Sequence, residues 1–168
     1  MPARTSPAAR SAKPELVITR VVNAPPSLVF KAWTEREHLL HWSAPHGFTV
    51  THCEGDVRPG GAWRSCMRSP EGVDLWLSGV YREIVAPERL VFTHAWEDDE
   101  GKRGHETLVT VTFIDHGGKT KLTFRQAFFE SVESRDGHMG GWNECFDRLG
   151  DYLRELQTRE QKHGRRKE

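Results

Sequence analysis

The sequence predicts an α+β domain in which one curved antiparallel sheet wraps a long C-terminal helix. Three observations predict it. Met139, Trp142, Phe146, Leu149, Leu153 and Leu156 recur at spacings of three and four residues, which marks an amphipathic helix with a broad apolar face. Most of the chain upstream reads as strands separated by Gly- and Pro-bearing turns. A chain of 168 residues suits a single core of ordinary size. A helix laid across a curved sheet leaves a crevice, which either side chains or a ligand must fill.

Residues 1–13, rich in Ala, Pro, Ser, Arg and Lys, read as a disordered leader before a single domain over 14–157. They lack the apolar run of a signal peptide, and no segment is apolar enough to span a membrane, so a soluble cytoplasmic protein is expected. Leu16 to Val22 forms the first strand, ended by Asn23-Ala24-Pro25-Pro26, where two prolines stop a ladder and suit a helix start. Val29, Phe30 and Trp33 have helical spacing, and Leu39, Leu40 and Trp42 suggest a second short helix before Pro45.

From Gly47 a meander of six strands follows: Phe48 to Val57, Ala62 to Ser69, Leu75 to Val85, Arg89 to Trp96, His105 to Asp115 and Lys119 to Phe128. The breaks between them are Pro59-Gly60-Gly61, Pro70-Glu71-Gly72, Ala86-Pro87-Glu88, a charged loop from Glu97 to Gly104, and His116-Gly117-Gly118. The long helix closes the domain, and residues 158–168 read as a charged flexible tail.

Lys plus Arg and Asp plus Glu number 24 each. That balance gives no electrostatic case for nucleic acid or an anionic membrane as partner. Cys53, Cys66 and Cys145 are too few and scattered for a disulfide scaffold, which points to a reducing compartment. The Pro59-Gly60-Gly61 turn lies midway between Cys53 and Cys66, so a disulfide there is geometrically conceivable, although a reduced buried pair is the expected state.

Several segments carry a family resemblance over roughly Leu16 to Leu156. They are Val22-Asn23-Ala24-Pro25 with Val29-Phe30-Lys31-Ala32-Trp33, Asp56-Val57-Arg58-Pro59-Gly60-Gly61, the run from Gly79 to Thr93, and Gly141-Trp142-Asn143-Glu144-Cys145-Phe146-Asp147-Arg148-Leu149. In them the chain resembles the activator-of-heat-shock-ATPase homologues of the START-like, helix-grip superfamily. The resemblance implies a helix-grip fold with a sheet of about seven strands. It also implies a possible chaperone partner whose ATP hydrolysis the domain stimulates, a stress-response setting, and cyclase- or lyase-type enzymes elsewhere in the superfamily. These motifs serve turns and core, and a fold of this kind carries many activities.

Strand alternation indicates which side chains meet in the crevice. Leu90, Phe92, His94 and Trp96 share a face, as do Thr107, Val109, Val111 and Phe113, and Leu122, Phe124, Gln126 and Phe128. The expected cavity wall comprises Trp33 and Trp42 from the short helices, Arg64, Trp76, Phe92, His94, Trp96, Val109, Val111, Phe124 and Phe128 from strands, and His138, Met139, Trp142 and Phe146 from the long helix. This much aromatic surface with a few polar groups suits a small hydrophobic or amphipathic molecule, and a filled core uses the same residues equally well. His94 and His138 are the candidates for proton transfer if the domain is an enzyme; the plainer reading of His94 is a packed, hydrogen-bonded imidazole. Arg64, Arg68 and Arg125 are candidates for binding a carboxylate inside the cavity.

No nucleophile elbow, phosphate loop or supported catalytic cysteine occurs, so no catalytic residue and no cofactor is assigned. His38 and His41 have i, i+3 spacing with His46 close behind, yet no carboxylate or cysteine completes a ligand set and no metal is expected. The expected partner is a small hydrophobic molecule, with a chaperone by resemblance only, and the expected state is a monomer or homodimer.

Overall fold

The computed structural model describes residues 13–167, with side-chain surroundings to residue 161. The predicted leader lies, but for Lys13, outside the described residues. The chain forms β1 (Leu16–Val22), α1 (Pro26–Thr34), α2 (Arg36–Trp42), β2 (Thr49–Gly55), β3 (Ala62–Arg68), β4 (Asp74–Val85), β5 (Arg89–Trp96), β6 (Thr107–His116), β7 (Lys119–Ala127) and α3 (Val132–Lys167). The seven strands make one sheet in the order β1-β7-β6-β5-β4-β3-β2. Each neighbouring pair is antiparallel, so the meander runs in chain order and β1 joins its far edge. This is the helix-grip fold expected from the sequence, with the two short helices after the first strand.

Local chemistry sets each boundary. Pro25 is extended and Pro26 opens α1, where a missing N–H costs nothing. Gly79 lets β4 press against β5, since a Cβ there would lie 1.8 Å from the Thr93 carbonyl oxygen. Close by, the β4–β5 register shifts between Tyr81 and Glu83, and the β2–β3 register shifts between Val50 and His52. Such irregularities bend strands, and the bent sheet is what wraps α3.

Two apolar clusters result. The larger joins α1 and α3 to the β1, β5, β6 and β7 side of the sheet around Trp33, Leu90, Val109, Val111, Leu122, Phe124, Phe146 and Leu149. The smaller joins Ala44, Val50, Cys53, Met67 and Leu77 under α2 and the segment that follows it. The helices meet the sheet mainly at its two ends: α3 on β1, α1 on β6 and β7, α2 on β2. The inner face of β3, β4 and β5 is therefore only partly covered.

Two expectations need correction. Phe128, expected on the inner face of the last strand, has a left-handed φ of 71° and is 52% exposed. The ladder ends at Ala127, and Phe129 turns into the core instead, held by its backbone N–H to the Pro14 carbonyl. The tail expected to be flexible from residue 158 continues as helix to Lys167. Gln157 helps hold it by donating to the Asn23 carbonyl at 2.7 Å, and Thr158 bonds back to Arg154. The register pairs Cys53 with Ser65 and Cys66 with His52, which puts the two thiols on opposite faces of the hairpin; both are buried and free, the state expected over the disulfide.

Candidate functional site

A cleft of about 410 Å³ opens between α3, the segment from Ser43 to Phe48, and the inner face of β3, β4 and β5. An inner chamber of about 80 Å³ adjoins it, and Ser43, Leu77, His94 and Trp142 border both. Phe48, Met67, Leu75, Trp96 and Trp142 form much of the outer wall; Trp33, Trp42, Trp63, Tyr81 and Phe92 line the inner chamber. Its size and apolar, aromatic lining are those of a small-molecule site.

Space is left because glycines face it. Gly137 and Gly141 of α3 border the cleft, and a Cβ on Gly137 would touch nothing within 4 Å. The opposite wall is fixed to the helix by Arg148, whose Nη1 donates to the carbonyls of Ala44, Pro45 and Phe48 at 2.7, 3.0 and 3.0 Å. On the other flank Arg20 of β1 bonds Asn143 and Asp147. The helix is thus tied along both sides while the cleft between the ties stays open.

Polar groups in the walls are mostly spoken for. Trp142 Nε1–H donates to Gln126 Oε1 at 2.8 Å, Gln126 Nε2–H to Thr107 Oγ1 at 2.8 Å, and Thr107 Oγ1–H to the His94 carbonyl at 3.1 Å. This buried chain of bonds links α3 to β7, β6 and β5. His138 Nδ1–H donates to the Ser134 carbonyl at 2.7 Å, and its Nε2 accepts from Trp96 Nε1–H at 2.9 Å. Both ring nitrogens are engaged, and the Trp96–His138 bond spans from sheet to helix.

His94 differs. It is 3% exposed, yet its ring makes no hydrogen bond to another described residue and borders both compartments. Burial, with the Arg103 charge adding to it, pushes its pKa down to about 3. The imidazole is therefore neutral at physiological pH. The sealed Trp33 indole nitrogen, on a residue of the inner chamber, also lacks a partner. Burial likewise pushes Tyr81 and Cys145 up to about 12 and raises Cys53, so these wall groups stay uncharged.

Of the expected wall residues, Trp33, Trp42, Phe92, His94 and Trp142 border the inner chamber, and Trp96 and His138 the outer cleft. Val109, Val111, Phe124 and Phe146 are core beneath it, and Met139 packs against that core. Besides Phe128, two residues lie elsewhere. Arg64 alternates with the inward Trp63 and Ser65 and sits on the outer face, its guanidinium 3.9 Å from the centre of the Trp76 ring and its Nη2 2.9 Å from Glu97. Trp76 shares that outer face, because Leu75 and Leu77 take the inward positions. Arg68 pairs with Asp74 and Arg125 with Glu15. None of the three strand arginines borders the cleft, and its only carboxylate is Glu133, at the first turn of α3.

The alternation of Trp63, Ser65 and Met67 and of Leu75, Leu77 and Tyr81 was the available signal for the missed inner wall. Ser43, Pro45, Gly137 and Gly141 had no such signal, since loops and glycines carry no apolar period. His38 and His41 are both taken up by Tyr152, one by its hydroxyl and the other by its ring face. Among the described residues no group of three His, Cys, Asp or Glu side chains comes together to hold a metal ion, and no helix is long and apolar enough to cross a membrane.

The fold has close structural counterparts. The crystal structure of the AHSA1 protein from Silicibacter pomeroyi is 26% identical, with a TM-score of 0.76 over 83% of this chain and 97% of that one. A protein of Rhizobium leguminosarum is 28% identical, with a TM-score of 0.72 over 86% and 97% of the two chains. A protein of Arthrobacter aurescens, 23% identical, shares the fold with a TM-score of 0.76 over 84% of this chain and 86% of that one. No curated protein matches the chain. Residues 23–154 match the model of the activator of Hsp90 ATPase homolog 1-like proteins, and the chain belongs to that family.

Proposed function

We propose that the protein binds a small, largely apolar molecule in the cleft between α3 and the inner face of β3, β4 and β5. The observation that carries this reading is the open, aromatic-walled space of about 410 Å³ beside a core in which Val109, Val111, Phe124 and Leu149 are fully buried. A chain that packs one half of its sheet without gaps has kept the other half open, with glycines on the helix that faces it. Activation of a chaperone ATPase belongs to the family's description; the cleft is what this chain's own residues supply.

The arrangement speaks for binding over proton transfer. A general base needs a free nitrogen and an orienting acid. Both His138 nitrogens are engaged, His94 is held far below the ordinary histidine range, and the lone wall carboxylate belongs to Glu133. The test is native mass spectrometry of the purified chain for a co-purified small molecule, with tryptophan fluorescence followed as a lipid and aromatic panel is titrated. A bound mass, or quenching abolished by Gly137→Leu in a folded protein, is the expected result. Silence across the panel with the fold intact would overturn the reading.

A further inference from the structure

Resting on the binding reading above, we infer that the cleft selects an uncharged, ring-bearing molecule whose hydroxyl group hydrogen-bonds the buried His94 imidazole where the two compartments meet. Three independent observations converge on this. The first is the imidazole itself: nearly sealed from bulk solvent, bordering both compartments, and with no hydrogen bond from its ring to another described residue. The residue borders both compartments, where a guest would meet the ring. A buried polar group that lacks a protein partner needs another one. A hydroxyl meets that need with either imidazole tautomer, because it donates to the bare nitrogen or accepts from the N–H.

The second observation is the absence of a cationic side chain from the wall among the described residues. Arg64, Arg68 and Arg125 are paired on the outer face with Glu97, Asp74 and Glu15. Arg148 approaches the cleft but is consumed by three backbone carbonyls. His94 offers no imidazolium, since burial, with the Arg103 charge, holds it neutral. A carboxylate or phosphate inside would lose its hydration and find no arginine, lysine or imidazolium among the described lining residues to bond it, which is costly. The third is shape: the walls are Trp96, Trp142, Phe48 and, further in, Trp63 and Phe92. Flat aromatic faces match a flat ring and gain from offset or edge contacts with it.

The experiment compares naphthalene, naphthol and naphthoate by calorimetric titration of the full chain near neutral pH, where naphthol is uncharged. Naphthol is expected to bind about 3- to 10-fold more tightly than naphthalene, the worth of one buried neutral hydrogen bond, and naphthoate more weakly than either. In His94→Phe the naphthol advantage is expected to vanish while naphthalene binding persists, and His94→Gln should restore part of it. Should His94→Phe not fold, the ranking of the three probes on the unmodified chain and on His94→Gln still decides the matter. Equal binding of naphthol and naphthalene, a preference that survives His94→Phe, or naphthoate as the tightest probe would overturn this inference and leave the binding reading standing. Failure of all three probes to bind the folded protein would count against both.

Discussion

Gln126→Leu isolates the buried bond chain that joins α3 to the sheet. Gln126 is fully buried, accepts from Trp142 Nε1–H at 2.8 Å and donates to Thr107 Oγ1 at 2.8 Å. Leucine nearly conserves its volume, so cavity formation contributes little. Two bonds worth about 1 kcal/mol each are lost, and the Trp142 N–H becomes a buried donor without a partner, which alone costs about 1–3 kcal/mol. Removal of a buried amide offsets part of this, because the leucine side chain needs no hydrogen bonds. Thr107 keeps its own bond to the His94 carbonyl. The net expectation is a loss of about 2 kcal/mol, or roughly 4–8 °C in Tm for a domain of this size. Thermal melts by circular dichroism measure the single variant, Trp142→Phe and the double variant. Phenylalanine removes the orphaned donor, so the double variant should lose less than the sum of the singles by about 0.5 kcal/mol or more. A Gln126→Leu melt within about 1 °C of the parent, or strictly additive singles, would refute the reasoning.

Other perturbations separate stability from binding. Gly137→Leu replaces a helical glycine whose Cβ position is open, so it should raise Tm by a few degrees, from about 0.8–1 kcal/mol of helix propensity, while blocking the cleft to the panel probes. Arg148→Met leaves three carbonyls of the Ser43 to Phe48 wall without their donor and should cost about 1–3 kcal/mol, read as a lower urea midpoint. The pH dependence follows from His94. Its folded pKa, about 3, lies below the value of about 6.5 in the unfolded chain, so the unfolded chain binds the extra proton first. The stability it confers is complete above pH ~6.5 and is lost as pH falls from there towards about 3, at up to about 1.4 kcal/mol per pH unit. His94→Phe should flatten that slope in urea titrations between about pH 6 and 4, and an unchanged slope would contradict the buried neutral ring.

The fold was legible because its determinants are local and periodic. Pro25-Pro26, the Gly-bearing turns and the α3 stripe each act over a few residues, and together they dictate seven strands, two short helices and a long one. The site was legible only where periodicity reached it. Phe92, His94 and Trp96 follow from alternation on β5, whereas Arg64 and Trp76 were misplaced because aromatic and charged residues were weighed by type over parity. Leu75, Leu77 and Tyr81 occupy the inward positions on β4, and that parity sends Trp76 outward to stack with Arg64. Phe128 was misplaced for another reason: a left-handed φ at a phenylalanine has no sequence signal, and a turn of one residue reverses the face.

The choice between a filled core and an open cavity, which composition leaves even, resolves along the sheet. Trp33 stacks on Trp142 at 6.2 Å and meets Trp42 edge-on at 4.7 Å, and Phe124 lies 4.5 Å from Trp142. Much of the aromatic surface therefore packs against itself on the β5 to β7 side. The same rings then form the rigid floor of a cleft over β3 and β4, where the facing helix carries glycine in place of a large side chain. His94 stands at that boundary, in contact with Trp63, Trp96 and Trp142 rings. A floor this closely packed resists repacking around a guest. In the proposed binding, selectivity at the boundary depends on what hydrogen-bonds His94 and on the lack of a cationic side chain among the described lining residues, and both are properties of fixed groups.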